Sequence, residues 1–220
     1  MCGYIGNLHE APGVIDLMEE LGILLPLPYY QSYQRRMHPA LITQEGDKYV
    51  ISEAMWWYAL KREGDKLVPN PDITSFNARN LDAPLWRDAI NHRRGIILGT
   101  EIGESKDGKR HLMRSKEGLA LGAVYKDWEA PNGQIVRSMA VITRPPHPRF
   151  SEYHDKSLPA FLPLSKCTLT SWLNPYNDAH DVNIYNILNT SKIYNDLIIT
   201  SVRTFKNGIT VEPTWHLTRD

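Results

Sequence analysis

The stretch GLALGAVYKDWEAPNGQIVRSMAVIT, residues 118–143, reads as two strands doubled back on each other. Small, aliphatic and aromatic residues fill both arms, and Pro131-Asn132-Gly133 lies between them. Proline presets φ for a turn, while asparagine and glycine accept the left-handed backbone that closes it. Upstream, GIILGTEIG (95–103) is a buried strand, and DGKRHL (107–112) marks a hairpin. ALITQEGDKYVISEAMWWYAL (40–60) adds two strands around Glu45-Gly46-Asp47. SLPAFLPLS (157–165) is a strand or connector, LIITSVRTF (197–205) is read as the last strand, and one more strand candidate opens the chain.

Helical spacing is sparser. Gly13–Leu21 has apolar residues at 14, 17, 18 and 21, and Gly22 is positioned as its C-cap. APLWRDAINHR (83–93) puts Leu85, Trp86, Ala89 and Ile90 on one side of a short helix, and DVNIYNILNTS (181–191) predicts another. Lys61–Asn80 is polar and contains Pro69 and Pro71, so it reads as a long surface loop; RPPHPRF (144–150) reads as a rigid one. Strands that cluster without a regular βαβ alternation predict α+β or a small barrel, not a doubly wound sheet.

With 220 residues, one domain is expected, and 42% hydrophobic residues suffice for a packed core. The 25 basic and 25 acidic residues cancel, so any attraction for a polyanion must come from a local patch. The two cysteines, Cys2 and Cys167, make no disulfide framework, and no His/Cys cluster has zinc spacing; neither a metal nor a cofactor is expected. No signal peptide and no membrane-length apolar run are read, which predicts a cytoplasmic protein.

MCGYIGN at the start singles out Cys2. Once Met1 is trimmed, Cys2 carries an amine and a thiol on neighbouring carbons. An α-amine titrates at about 7.7–8.0, so much of it is a neutral nucleophile at physiological pH. The thiol, at about 8.5, supplies a second nucleophile that can close a five-membered ring on an imine.

Four stretches in order, MCG (1–3), SFNAR (75–79), RRGIILGTEIGES (93–105) and VITRPPHPRFSEYHDKSLP (141–159), resemble the SOS-response-associated peptidase (SRAP) family. MWWYALK (55–61) stands where that family has a Trp-Gly-Leu-Ile-Pro segment, with Trp57 as the matching tryptophan. The resemblance covers about residues 1–160. It implies a single domain over 1–220, with mostly antiparallel strands in a barrel-like core flanked by short helices. It further implies a covalent crosslink to abasic sites in single-stranded DNA: the sugar aldehyde forms a Schiff base with the Cys2 amine, and the thiol closes a thiazolidine. Self-removal of Met1 is implied too.

By the same resemblance, Glu104 matches the catalytic glutamate and His154 the histidine of a His-Asp pair; Asn77 and Arg79 come from the Asn-Ala-Arg motif. A carboxyl on an apolar strand and an imidazole are suited to the proton transfers of imine chemistry. Glu101 competes with Glu104, and His147 with His154, on residue type alone. Asn77 is expected to orient the amine or the sugar hydroxyls, and Arg79 to clamp a phosphate. Trp57 is expected either to stack on bases or to sit in the core. Arg35, Arg36, Lys156 and Thr143 are further backbone contacts, and Pro39 is expected to shape the groove. The chain departs from the family at Tyr4 and Lys156, where arginines are usual, at Ser105, where a tryptophan is usual, at Arg36, where an asparagine is usual, and by an extra residue around Ser157-Leu158. The alternatives are a non-covalent single-strand binder and a peptidase acting only on its own N-terminus. A monomer with no obligate protein partner is expected.

Overall fold

The computed structural model describes residues 3–24 and 26–220. In chain order the elements are β1 (Tyr4–Asn7), α1 (Pro12–Glu20), β2 (Gln31–Gln34), β3 (Ala40–Glu45), β4 (Lys48–Glu53), β5 (Met55–Trp56), β6 (Leu60–Glu63), β7 (Lys66–Pro69), β8 (Asn77–Ala78), α2 (Pro84–His92), β9 (Arg94–Lys106), β10 (Lys109–Glu129), β11 (Ile135–Arg144), a 3₁₀ turn (Pro148–Phe150), β12 (Leu158–Pro159), β13 (Phe161–Leu162), α3 (Lys166–Leu173), α4 (Val182–Asn189), β14 (Leu197–Val202) and β15 (Thr210–Leu217). The strands form one curled, mainly antiparallel half-barrel sheet along the path β12-β11-β10-β9-β1-β2; β6 and β7 pair separately. The fold is α+β, as the strand clustering predicts.

The opening stretch accounts for the spine. β10 and β11 pair antiparallel from Ala123↔Val141 to Glu129↔Ile135, around the turn holding Gly133 at φ +80°. β10 also pairs with β9 along most of its length, and with β14 from Arg110 to Arg114. The apolar runs are continuous because both sheet faces are covered, and alternate residues go to different cores. Ala120, Val124, Ala140 and Ile142 face the layer carrying the four helices. Leu121, Ala123, Met139 and Val141 fill the inside of the curl with Trp56, Phe150 and Phe161. Ile97 and Ile102 share that inner core although five residues apart. An odd spacing points to opposite faces of a regular strand, and between these two residues β10 shifts its register against β9 from Arg114 to Leu119.

Gly118 sits in that shift at φ +92°, where an added Cβ would lie 2.4 Å from Cγ2 of Val14 on α1. Gly118→Ala is expected to destabilise the protein by about 2–4 kcal/mol, combining left-handed strain with overpacking. Chemical denaturation measures this; an unchanged midpoint would mean that α1 slides away freely.

Three sequence expectations need correction. Residues 61–80 are not one loop, because β6 and β7 form a hairpin there. The tetrapeptide Glu-Gly-Asp-Lys occurs at both 45–48 and 63–66, and it turns both hairpins with Gly46 at φ +58° and Gly64 at φ +59°. The second copy escapes notice because its ribbon stands off the main sheet and keeps Lys61, Arg62 and Glu63 exposed. LIITSVRTF is not the last strand, since β15 follows and pairs with β14. Pro213 disguises β15, yet a proline is tolerated on a strand with one partner. α3, unread in KCTLTSWL, buries Leu169, Trp172 and Leu173, a helical spacing hidden among threonines.

Candidate active site

Strand alternation separates the two candidate glutamates. Glu101 and Glu104 lie three residues apart on β9, so they point to opposite faces. Glu101 accepts hydrogen bonds from the Tyr4 hydroxyl and from Arg114 Nε, each at 2.7 Å, in a buried structural pair. The Tyr4 hydroxyl is held protonated there, its pKa raised first by burial and then by the Glu101 carboxylate. Glu104 shares its face with Ile102 and meets His154 instead, with Oε2 3.7 Å from Nδ1.

His154 is fixed by the turn before it. Phe150 is wholly buried, and its carbonyl accepts the backbone N–H of both Tyr153 and His154. The His154 Nδ1 lies 3.0 Å from the Ser105 carbonyl, which can only accept; the ring hydrogen therefore sits on Nδ1. Glu104 is 1% exposed and His154 3%. Burial raises the Glu104 pKa from 4.5 to about 7, against a downward pull from Arg79. Burial also pushes the His154 pKa down from its ordinary value. Near neutrality the pair thus combines an uncharged imidazole with a carboxyl that both holds and releases a proton, the property an acid–base catalyst needs.

His154 lines a cleft of about 630 Å³ whose wall also includes Gly3, Phe76 and Ser105, with Glu104 buried behind it. Arg35, Arg110, Lys156 and Lys206 also line it, and among the described residues no acidic side chain does. In a chain of zero formal net charge, this is a local concentration of positive potential.

Cys2 lies outside the described residues; its neighbour Gly3 is on the cleft wall. Asn77 is half-buried on β8, which pairs parallel with β11 at Val141, and Phe76 beside it faces the cleft. Lys156 and Arg35 line the cleft, Arg35 with its guanidinium 5.5 Å from the Phe76 ring. Arg79 is exposed on the wall of a second hollow of about 410 Å³ that also contains Arg144. Arg36 is exposed at φ +71° with its guanidinium 4.9 Å from the Trp57 ring.

Three residues expected at DNA are buried instead. Trp57 donates its indole N–H to the Asn70 carbonyl at 2.9 Å, packs on Phe76 and lies under Arg36, so it belongs to the core. Thr143 is wholly buried where β11 pairs with Pro159, which removes it from a backbone contact. Pro39 is buried beside Ile5 and Tyr33, away from the cleft. His147 accepts the Arg149 N–H and pairs with Asp220 at 3.3 Å, and it is not among the residues lining the cleft, as His154 is. Arg110 and the 204–206 segment on the cleft were not anticipated. Arg110 comes from β10, where the β9–β10 hairpin pairs it with Ser105, and the 204–206 segment comes from the β14–β15 loop, brought there by the pairing of β14 with β10. Among the described residues, no three His, Cys, Asp or Glu side chains are grouped to hold a metal ion. No helix there is long and apolar enough to cross a membrane.

The fold is a curled antiparallel sheet with a buried glutamate–histidine pair, and the histidine shares a cleft with Gly3. The chain belongs to the SOS response associated peptidase (SRAP) family, whose sequence model matches residues 1–205. It is 23% identical over 193 residues to the abasic site processing protein YoqW of Bacillus subtilis (strain 168) and to that of Bacillus phage SPbeta, covering 82% of this chain and 84% of each relative. Its fold is shared with a solved protein from Bacteroides thetaiotaomicron, with a TM-score of 0.66, 17% identity and 92% of both chains covered. A protein from Bordetella bronchiseptica is also similar, with a TM-score of 0.66, 16% identity, and 92% of this chain and 100% of that one covered.

Proposed function

We propose that this chain processes abasic sites in single-stranded DNA by crosslinking them to Cys2 after Met1 is removed. The observation that carries the reading is the buried Glu104–His154 pair on a basic cleft that Gly3 also lines. The family match and the name carried by the YoqW relatives support abasic DNA as the substrate. Four basic side chains on the cleft suit a phosphodiester backbone.

The chemistry balances without a cofactor. The Cys2 amine adds to the aldehyde of the ring-opened sugar, giving a carbinolamine. Glu104 in its acid form protonates the departing hydroxyl; water leaves, and an imine remains. The thiol sulfur then bonds to the imine carbon, and its proton goes to the nitrogen. One water is lost overall and a thiazolidine is formed. His154, uncharged near neutrality, relays protons between these steps. Asn77 orients the amine or the sugar, and Arg79 and Lys156 hold flanking phosphates. We read residues 1–220 as one domain, because β15, beyond the family match, pairs with β14 and through it with β10.

The test is incubation with a single-stranded oligonucleotide carrying one abasic site, followed by a denaturing gel and an intact mass. The wild type is expected to lack Met1 and to give a shifted band that survives denaturation, whereas Cys2→Ala gives none. An undiminished band in Cys2→Ala removes Cys2 from the reaction. Equal, salt-dependent binding to intact and abasic strands with no adduct makes the protein a non-covalent binder instead.

A further inference from the structure

Among the described residues, the β14–β15 loop carries the one aromatic side chain on the cleft that comes from outside the strands and motifs of the proposed site. Phe205 is half-buried. One side of its ring stacks on Tyr4, with centroids 5.3 Å apart and planes 27° from parallel. The same ring lies against the backbone of Gly103, where an added Cβ would come within 2.8 Å of two ring carbons. The absence of a side chain at 103 lets the ring lie down on β9, one residue before Glu104. Its remaining surface, with Lys206 next to it, lines the cleft.

The loop holds this ring in a defined place. Arg203 N–H donates to the Ile209 carbonyl at 3.0 Å, and Gly208 N–H to the Thr204 carbonyl at 3.2 Å. Arg110 Nη1 donates to the Arg203 carbonyl at 2.9 Å, tying the loop to β10. Gly208 closes the turn at φ +59°. A pinned aromatic face beside a cation, in a basic cleft, is the arrangement that grips single-stranded nucleic acid: the ring stacks on any base, and the cation meets the phosphate.

We propose that Phe205 and Lys206 form a base-stacking subsite, in which Phe205 receives the nucleobase flanking the reacting sugar and Lys206 pairs with the adjoining phosphate. This rests on the functional reading above and adds to it where the strand runs. Phe205 is a positioning residue here, since it touches a neighbouring base and not the reacting atoms.

The experiment measures anisotropy of a labelled, intact single-stranded oligonucleotide with the full chain, alongside crosslinking of the abasic strand and thermal melting of each variant. Phe205→Leu keeps apolar cover over Tyr4 and Gly103 but has no π-face; affinity is expected to fall roughly five- to a hundredfold with melting unchanged. Phe205→Trp is expected to restore binding. Lys206→Gln is expected to reduce the salt slope of binding by about 0.7, the loss of one phosphate contact on a single strand. Wild-type affinity in Phe205→Leu overturns the subsite, as does equal loss in Phe205→Leu and Phe205→Trp, which would report packing alone. If the wild type crosslinks while Phe205→Leu binds as tightly, only the subsite falls. If the wild type neither binds nor crosslinks, the functional reading falls and takes the subsite with it.

Discussion

Glu104→Gln is expected to give a protein that melts higher than the wild type at pH 8 and crosslinks far more slowly. The folded protein holds the Glu104 proton up to about pH 7, whereas an unfolded chain releases it near 4.5. Between those values the native state binds more protons, so the stability contributed by this site is fully present below about 4.5 and lost as pH rises through 7. Above pH 7 the buried carboxylate costs the fold up to about 3 kcal/mol. Glutamine has the same shape and no proton to lose. At pH 8 it should recover about 2–3 kcal/mol, a Tm higher by about 4–12 °C in a chain of this length. At pH 4.5 the two proteins should melt together. Loss of the acid–base group should slow thiazolidine formation by roughly 10²–10⁴-fold. Calorimetry at both pH values, with crosslinking kinetics at pH 7, measures both effects. Equal melting at pH 8 would mean that the carboxyl is not buried at a cost, and the catalytic reading would lose its physical basis.

Arg94→Met is expected to destabilise the protein by about 4 kcal/mol or more, lowering Tm by about 8–16 °C. Arg94 is 2% exposed. Its Nε donates to the Trp172 carbonyl, Nη1 to those of Ile90 and Asn91, and Nη2 to those of Asn174 and Asn177, all at 2.6–2.8 Å. The carbonyls belong to the C-terminal ends of α2 and α3 and the turn after α3, where helix dipoles are negative. One guanidinium thus answers five buried or half-buried carbonyls at once, and that of Asn174 also accepts the Asn177 N–H. Burial lowers its pKa to about 10, with Asp181 and Asp178 acting against the fall, so it stays charged at neutral pH. Arg94→Lys, with three donors in a different geometry, should recover less than half of the loss. Denaturant titration measures both variants; a change under about 1 kcal/mol for Arg94→Met would show that water replaces the guanidinium freely.

Much of the fold is legible because its signals are local. The apolar arms and Pro-Asn-Gly turn of 118–143, the Glu-Gly-Asp turn at 45–47 and the spacing of α2 each need only a few neighbouring residues. The misreadings arise where a local pattern is ambiguous. β6 and β7 look like a loop because the run is rich in charges and its ribbon pairs apart from the main sheet, and β15 hides behind Pro213. Glu104 and Glu101 are alike in residue type, and the alternation of one strand puts the first against His154 and the second against Tyr4 and Arg114. Trp57 is legible as either a stacking surface or core, while Thr143 and Pro39 read as DNA contacts; all three are buried.

What the sequence by itself determined is the α+β class, the spine of β9, β10 and β11, and the Cys2, Glu104 and His154 candidates. Each rests on short-range periodicity, a turn or a motif. Only the tertiary structure decided that Glu104 and His154 meet, that burial brings a carboxyl to titrate near neutrality, and that Phe205 and Lys206 join His154 on its cleft. Desolvation and the convergence of charges depend on which distant strands the sheet's curl brings together, and no window of neighbouring residues contains that information.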